Sequence, residues 1–200
     1  NGTAGAKVAH GIGKVPKFII TKRQDEGAES WTTFHAGIGS TKFINFNTTG
    51  AAGTATNRWN DTDPDTVNFT LGSEGSVNSS GNPLMAWCFA DVQGYSKFGS
   101  YEGNGNADGT FVYTGFKPKM VICKSVDSTA GAYMIPSKTD WYNGDTYYHY
   151  VYSNTTSSNG AFVDFHSNGF KLRKNDDINN SETYVYMAWA EAPFVNSNGV

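Results

Sequence analysis

Apolar residues along this chain come in short runs, separated by clusters of polar turn formers. KFIIT (17–21) and KMVIC (119–123) are continuous apolar runs, as expected of strands buried on both faces. SWTTFH (30–35) and GAYMIP (131–136) follow after polar turns. KFINFN (42–47) and YHYVYSN (148–154) alternate or nearly alternate, as a half-buried strand does. LMAWCFAD (84–91) places Trp87 and Phe89 on one face, with Ala86, Cys88 and Ala90 on the other. YVYMAWAE (184–191) repeats that division, with Met187 and Trp189 opposite Ala188 and Ala190. Gly, Asn, Asp, Ser and Pro fill the intervals. No stretch shows helical apolar spacing with caps at its ends. The pattern predicts an all-β chain whose core includes Phe18, Ile20, Val121, Trp87, Phe89, Met187 and Trp189.

The same pattern occurs twice. NGTAGAKVAHGIGKVPKFIITK (1–22) is echoed by EGNGNADGTFVYTGFKPKMVICK (102–124): Pro16 matches Pro118, Lys17 matches Lys119 and Lys22 matches Lys124. NTT recurs at 47–49 and 154–156, FTLG (69–72) matches FKLR (170–173), and SVNSS (76–80) matches DINNS (177–181). WCFAD (87–91) matches MAWAE (187–191). Ordered self-similarity at an offset that stays between 100 and 107 residues is the signature of a repeated unit. The expectation is two tandem units, 1–103 and 104–200, each of about five or six strands, packed together as one pseudo-symmetric antiparallel β-sandwich body. Tyr95, Phe98 and Tyr101 at the junction call for cover, which a plain linker would not.

Composition agrees. Gly, Thr, Asn and Ser make up 79 of the 200 residues, and aromatics reach 14% against 16% charged residues. Small loop formers with many aromatics suit strands and turns, not a helical enzyme. The net charge of −3 is spread evenly and contains no basic run, which argues against a nucleic-acid partner. No apolar run is long enough for membrane insertion as a helix. The chain opens on Asn1 with no secretory leader, which reads as a processed product or a piece of something longer. Cys88 and Cys123 sit inside apolar runs and read as small buried hydrophobes rather than a disulfide scaffold.

Candidate chemistry is sparse. Four histidines, His10, His35, His149 and His166, are scattered, and no HExxH, GxSxG, P-loop or CxxC motif is present. DFH (164–166) could put a carboxylate and an imidazole on one strand face. Asp91 and Glu191 hold matching positions, so each closes its own strand rather than forming a catalytic pair. WNDTDPDT (59–66) spaces Asp61, Asp63 and Asp65 as oxygen ligands for Ca²⁺ could be. Pro64 and the missing EF-hand glycine speak against that loop type. The reading is a non-enzyme without a cofactor, Ca²⁺ being the one ion with any sequence support. Aromatics in polar loops are the binding candidates: Arg58, Trp59, Asn60 and Asp61 in the first half, and Asp140, Trp141, Tyr142 and Asn143 in the second. An exposed ring beside amides and carboxylates suits a sugar, whose CH face stacks while its hydroxyls hydrogen-bond. The alternative is that these rings fold back and plug the ends of the sandwich.

The blocks VPKFIITKR (15–23), YSKFGSYEGNGNADGTFVYTGFKPKMVICK (95–124), SNGFKLR (167–173) and YVYMAWAEAPF (184–194) resemble a duplicated domain of unknown function. That domain occurs near the C-termini of large virion proteins of tailed phages, many of them marine. The resemblance covers almost the whole chain and implies a virion component of tail-fibre or similar type. It also fits a lectin-like sandwich, concanavalin-A-like or jelly-roll. It supplies no catalytic residues. It implies a protein at the virion surface, extracellular and homo-oligomeric, with a trimer expected for a fibre. Its partners would be other virion proteins and a host surface glycan or protein receptor. A free carbohydrate-binding module and a capsid decoration protein are the other readings.

Overall fold

The structure, a computed structural model, describes residues 1–25, 30–137, 146–155 and 158–193. The first half runs β1 (Ala6–Ala9), β2 (Phe18–Arg23), β3 (Thr32–His35), β4 (Lys42–Asn45), β5 (Gly53–Thr54), α1 (Thr56–Trp59), β6 (Asn68–Leu71), α2 (Gly75–Asn78), β7 (Leu84–Phe89) and β8 (Ser96–Glu102). The second runs β9 (Phe111–Tyr113), β10 (Pro118–Ser125), β11 (Tyr133–Pro136), β12 (Thr146–Tyr150), β13 (Ser158–Gly160), β14 (Val163–His166), β15 (Gly169–Leu172) and β16 (Thr183–Ala190). The chain is all-β, with only two four-residue helices among the described residues.

Four antiparallel sheets stack as layers. A two-stranded sheet, β1-β6, covers one face of a five-stranded sheet of order β5-β4-β3-β2-β7. The space between them holds Ile19, Phe34, Trp59, Phe69, Leu71 and Val77. A six-stranded sheet of order β13-β12-β11-β10-β16-β8 faces the other side of the five-stranded one. Phe18, Ile44, Phe46, Phe98, Val185 and Met187 fill that seam. A three-stranded sheet, β14-β15-β9, closes the far side over Val121, Cys123, Tyr184, Tyr186, Phe170 and Leu172. Period-two alternation explains the layering: Ile19 points outward from β2 and Phe18 into the seam, as Val121 and Ile122 do on β10. Each fully buried side chain of this kind is worth about 1.5–3 kcal/mol.

The two large sheets list their strands in the same succession, β5-β4-β3-β2-β7 and β13-β12-β11-β10-β16. Their registers also agree. Phe18 pairs with Phe89 and Ile20 with Trp87; counted from Pro16 and Pro118, the corresponding pairs are Met120–Trp189 and Ile122–Met187. β8 has no such counterpart in the five-stranded sheet. It lies before residue 103 in the chain but forms its ladder with β16, from Ser96–Trp189 to Glu102–Thr183.

Polar groups also cross the seam. His35 on β3 donates from Nε2 to the Tyr186 carbonyl at 3.2 Å, while its Nδ1 accepts the Gly37 N–H at 3.0 Å. That pair of bonds fixes a neutral imidazole, and burial lowers its pKa from 6.5 to about 4. Lys124 on β10 is fully buried, and its Nζ donates to the carbonyls of Thr48 and Ala130 at 2.9 and 3.0 Å.

Most of the expected core is present. Phe18, Val121 and Met187 are buried, and Ile20, Phe89 and Trp189 are partly buried against the seam. Trp87 is a correction: it is 38% exposed. The alternation does place it on the face of Phe89, but β7 is the last strand of its sheet, and the stacked Trp31 ring covers Trp87 only in part.

Candidate functional site

The first loop expected to bind a ligand is internal instead. Gly72 allows α1 to lie directly on the end of β6: a Cβ there would sit 1.8 Å from the Asn57 carbonyl oxygen. So placed, α1 drives Trp59 under the five-stranded sheet, where it meets Phe34 edge-on at 6.0 Å and is only 2% exposed. Its ring cannot stack on a sugar. Arg58 is equally committed. Its Nη1 donates to Thr32 Oγ1, Ser76 Oγ and Glu74 Oε2 at 2.9, 2.6 and 3.1 Å, and its guanidinium lies 3.8 Å from the Phe43 ring centroid. Asn60 and Asp61 do remain at the surface, both in the left-handed region with φ of 53° and 46°. Asp140, Trp141, Tyr142 and Asn143 lie outside the described residues.

The acidic turns are used for capping. Asp63 Oδ1 accepts the Ser40 N–H at 3.1 Å, and Asp65 Oδ1 accepts those of Val67 and Asn68 at 2.7 and 2.6 Å. Asp177 accepts the Tyr133 hydroxyl. Among the described residues, no group of three or more His, Cys, Asp or Glu comes together to hold a metal ion. In the DFH motif, Asp164 pairs with Arg173 Nε at 3.1 Å, and the His166 ring sits edge-on to Phe111 at 5.7 Å. Both cysteines are unbridged, and burial pushes Cys88 up to about 11 and Cys123 up to about 12, so neither is a thiolate near neutrality.

Two surfaces, neither singled out by the sequence, carry exposed aromatic rings. The first is the outer face of the three-stranded sheet. Val112 points into the core, so Phe111 and Tyr113 on either side of it point out. Tyr113 is 66% exposed. It stands at the rim of a cleft of about 340 Å³ whose lining includes Asp91, Gln93, Ser96, Lys97 and Thr114. Asp91 is engaged on both oxygens: Oδ1 accepts the Phe98 N–H at 2.8 Å and Oδ2 the Lys97 ammonium at 3.2 Å. Gln93 is exposed and offers both a donor and an acceptor. Lys171–Asp108 and Arg173–Asp164 ion pairs at 2.7 and 3.1 Å frame the same face. The sequence held a signal for this surface. In FVY the two aromatics share a face, and a three-residue strand buries only one face.

The second surface is the end of the five-stranded sheet. Trp31 and Trp87 stack at 6.2 Å with planes 19° apart, each nearly two-fifths exposed, and Met85 is exposed on the same face of β7. On the opposite face, Leu84, Ala86 and Cys88 line a groove of about 320 Å³ together with Val8, Ile12 and Phe69. The first surface sets rings beside the exposed Gln93 amide and the Lys97 ammonium, a mixture that recognises a polyhydroxylated ligand, while the Ser96 and Thr114 hydroxyls already donate to the Ala90 and Phe116 carbonyls. The second is apolar on both faces of a strand edge.

Residues 1–193 match the family model described as a domain of unknown function, DUF7483, and the chain belongs to that family. No curated protein matches it. No solved structure matches it either.

Proposed function

We propose that this DUF7483 chain is a non-enzymatic surface module of a phage virion, of tail-fibre or appendage type, which contacts a glycan on the host. The observation that carries the reading is Tyr113, a ring two-thirds exposed at the rim of a cleft lined by Gln93, Lys97, Ser96 and Thr114. A pyranose laid on that ring would place its hydroxyls toward the amide and the ammonium, with Phe111 extending the apolar strip along β9. The virion assignment rests on the resemblance of the VPKFIITKR, FGSYEGNGNADGTFVYTGFKPKMVICK and YVYMAWAEAPF blocks. Shared strand order and register in the two large sheets support descent from two tandem units, with a lectin-like sandwich as their common plan. In a fibre the module would be one copy of a homotrimer, held by neighbouring virion proteins.

The test is a glycan array and a host-cell adsorption assay with wild type, Tyr113→Ala and Gln93→Ala. Tyr113→Ala should weaken binding at least about tenfold, an aromatic contact being worth roughly 0.5–1.5 kcal/mol before its buried area is counted. Gln93→Ala should change which glycans are preferred. Binding that survives Tyr113→Ala in a folded protein would remove this cleft from the proposal. A monomer that binds sugars without adsorbing to cells would favour a free carbohydrate-binding module.

A further inference from the structure

The end of the five-stranded sheet is a strand edge that is both open and apolar over the six residues of β7. The Gln24 N–H donates to the Pro83 carbonyl at 3.0 Å, and Arg23 pairs with Leu84 in the next register position. Residues 83, 85, 87 and 89 therefore turn their main-chain groups toward β2. Those of Leu84, Ala86 and Cys88 turn outward, where no described strand pairs with them. Natural proteins blunt such edges with charges, prolines or bulges. The Leu-Met-Ala-Trp-Cys-Phe sequence of β7 carries none within the strand.

The corresponding edge of the six-stranded sheet is filled. β8 lies antiparallel along β16, with Phe98 opposite Met187, Gly99 opposite Tyr186 and Ser100 opposite Val185. Glycine is required there, because a Cβ on Gly99 would approach the Tyr186 ring to 2.9 Å. By register from the shared prolines, Tyr184, Tyr186 and Met187 correspond to Leu84, Ala86 and Trp87. Where β16 carries a tyrosine ring, β7 carries a methyl group, and the volume left over is part of the 320 Å³ groove. The outer edge of β8 is partly engaged already. The Asp91 carboxylate accepts its Phe98 N–H, Val92 pairs with Ser96, and Thr110 Oγ1 donates to the Glu102 carbonyl at 2.6 Å.

We infer that the outer edge of β7 is a docking site for an extended strand of a partner protein, added antiparallel as β8 is added to β16. The partner strand is apolar on both faces. It carries a bulky aliphatic residue opposite Ala86, reaching into the groove beside Phe69 and Val8, and an apolar residue opposite Trp87. Main-chain hydrogen bonds to Leu84, Ala86 and Cys88 hold it, and the groove selects it. This site is separate from the Tyr113 cleft, and its failure would leave the glycan reading untouched.

The experiment uses two capped peptides of the β8 sequence, Ser96–Glu102, one unchanged and one carrying Gly99→Leu. Titration against the intact chain is followed by tryptophan fluorescence and by protection of the Ala86 and Cys88 amides from hydrogen exchange. The Gly99→Leu peptide should bind at least tenfold more tightly than the unchanged one and should protect both amides. It cannot replace the native β8, because its added side chain meets the Tyr186 ring. Ala86→Pro removes an outward N–H that β2 does not use, and should abolish binding while leaving the melting temperature within a few degrees. Ala86→Tyr fills the groove as Tyr186 does, and should reverse the preference in favour of the unchanged peptide. Equal binding of the two peptides, binding unaffected by both Ala86 variants, or no binding at all would overturn the proposal. A dimer of the peptide-free chain that Ala86→Pro dissolves would overturn it as well, since the edge would then serve a second copy.

Discussion

β7 and β16 hold the same place in sheets of the same strand order, yet they end in opposite environments. Met187 is fully buried, whereas Trp87 in the corresponding position is more than a third exposed. Val185 and Ala132 are buried, and their counterparts Met85 and Trp31 are both about two-fifths exposed. The exposed set is the larger and more aromatic of the two. Chance exposure of a poorly filled corner would give small residues or polar ones, not two stacked indoles and a methionine. The difference shows that strand order alone does not fix what a position does. The neighbour beyond it does, and β8 is a neighbour supplied to only one of the two sheets.

The comparison can be broken most forcefully at β8. Phe98 is buried and touches Phe18, Phe89 and Trp189 at ring-centroid distances of 5.9, 6.1 and 5.7 Å. Phe98→Ala should cost about 3–5 kcal/mol in urea denaturation and expose the β16 edge to hydrogen exchange. A loss below 1 kcal/mol would mean that β8 is an ornament on β16 rather than its cover.

A second asymmetry lies in the seam. His35 anchors β3 to the Tyr186 carbonyl, whereas its counterpart by register, Pro136, has no side chain able to do so. Between pH 6.5 and about 4 the unfolded chain takes up a proton that the buried imidazole refuses. Stability should therefore fall by roughly 3 kcal/mol as pH drops through that window. Urea midpoints at pH 7 and pH 4.5 should show the loss in wild type. His35→Gln should be weaker at pH 7 but less sensitive to acid.

The finest test sets the two counterparts side by side. Met187→Ala should cost about 3 kcal/mol and Trp87→Ala about 1, measured as shifts of the thermal midpoint at one pH. Equal costs would show that Trp87 is structural despite its exposure.

Much of this was readable in the residues, and the remainder failed for identifiable reasons. The alternation in LMAWCFAD and YVYMAWAE gave the correct faces, because side-chain direction in a strand is set by the backbone alone. It did not give burial, because whether Trp87 is covered depends on which strand is the sheet's last, a long-range fact. The shared prolines and lysines mark β2 and β10 because both strands are flanked on two sides and carry the same ladder. Trp59 misled because Asn, Asp and Arg around a ring look like a solvated loop. Here the Arg58 guanidinium is consumed by Thr32, Ser76 and Glu74, partners 16 to 26 residues away. FVY is so short that it reads as part of a buried run, which hides Tyr113. Only the closure of β9 against β15 shows which side is left outside.

β16 is flanked on both sides, by β10 and by β8, with seven register pairs to each. It is also the last of that sheet's strands to be synthesised. Until it emerges from the ribosome, β8 and β10 have no common partner, and Val185, Met187 and Trp189 are missing from the seam. The five-stranded sheet has all its strands by Phe89, yet its seam face, with Phe18 and Phe46, waits for the same strand. The chain is thus finished by one late strand: both large sheets keep apolar surface in need of protection from aggregation until β16 slides between two strands that are already waiting.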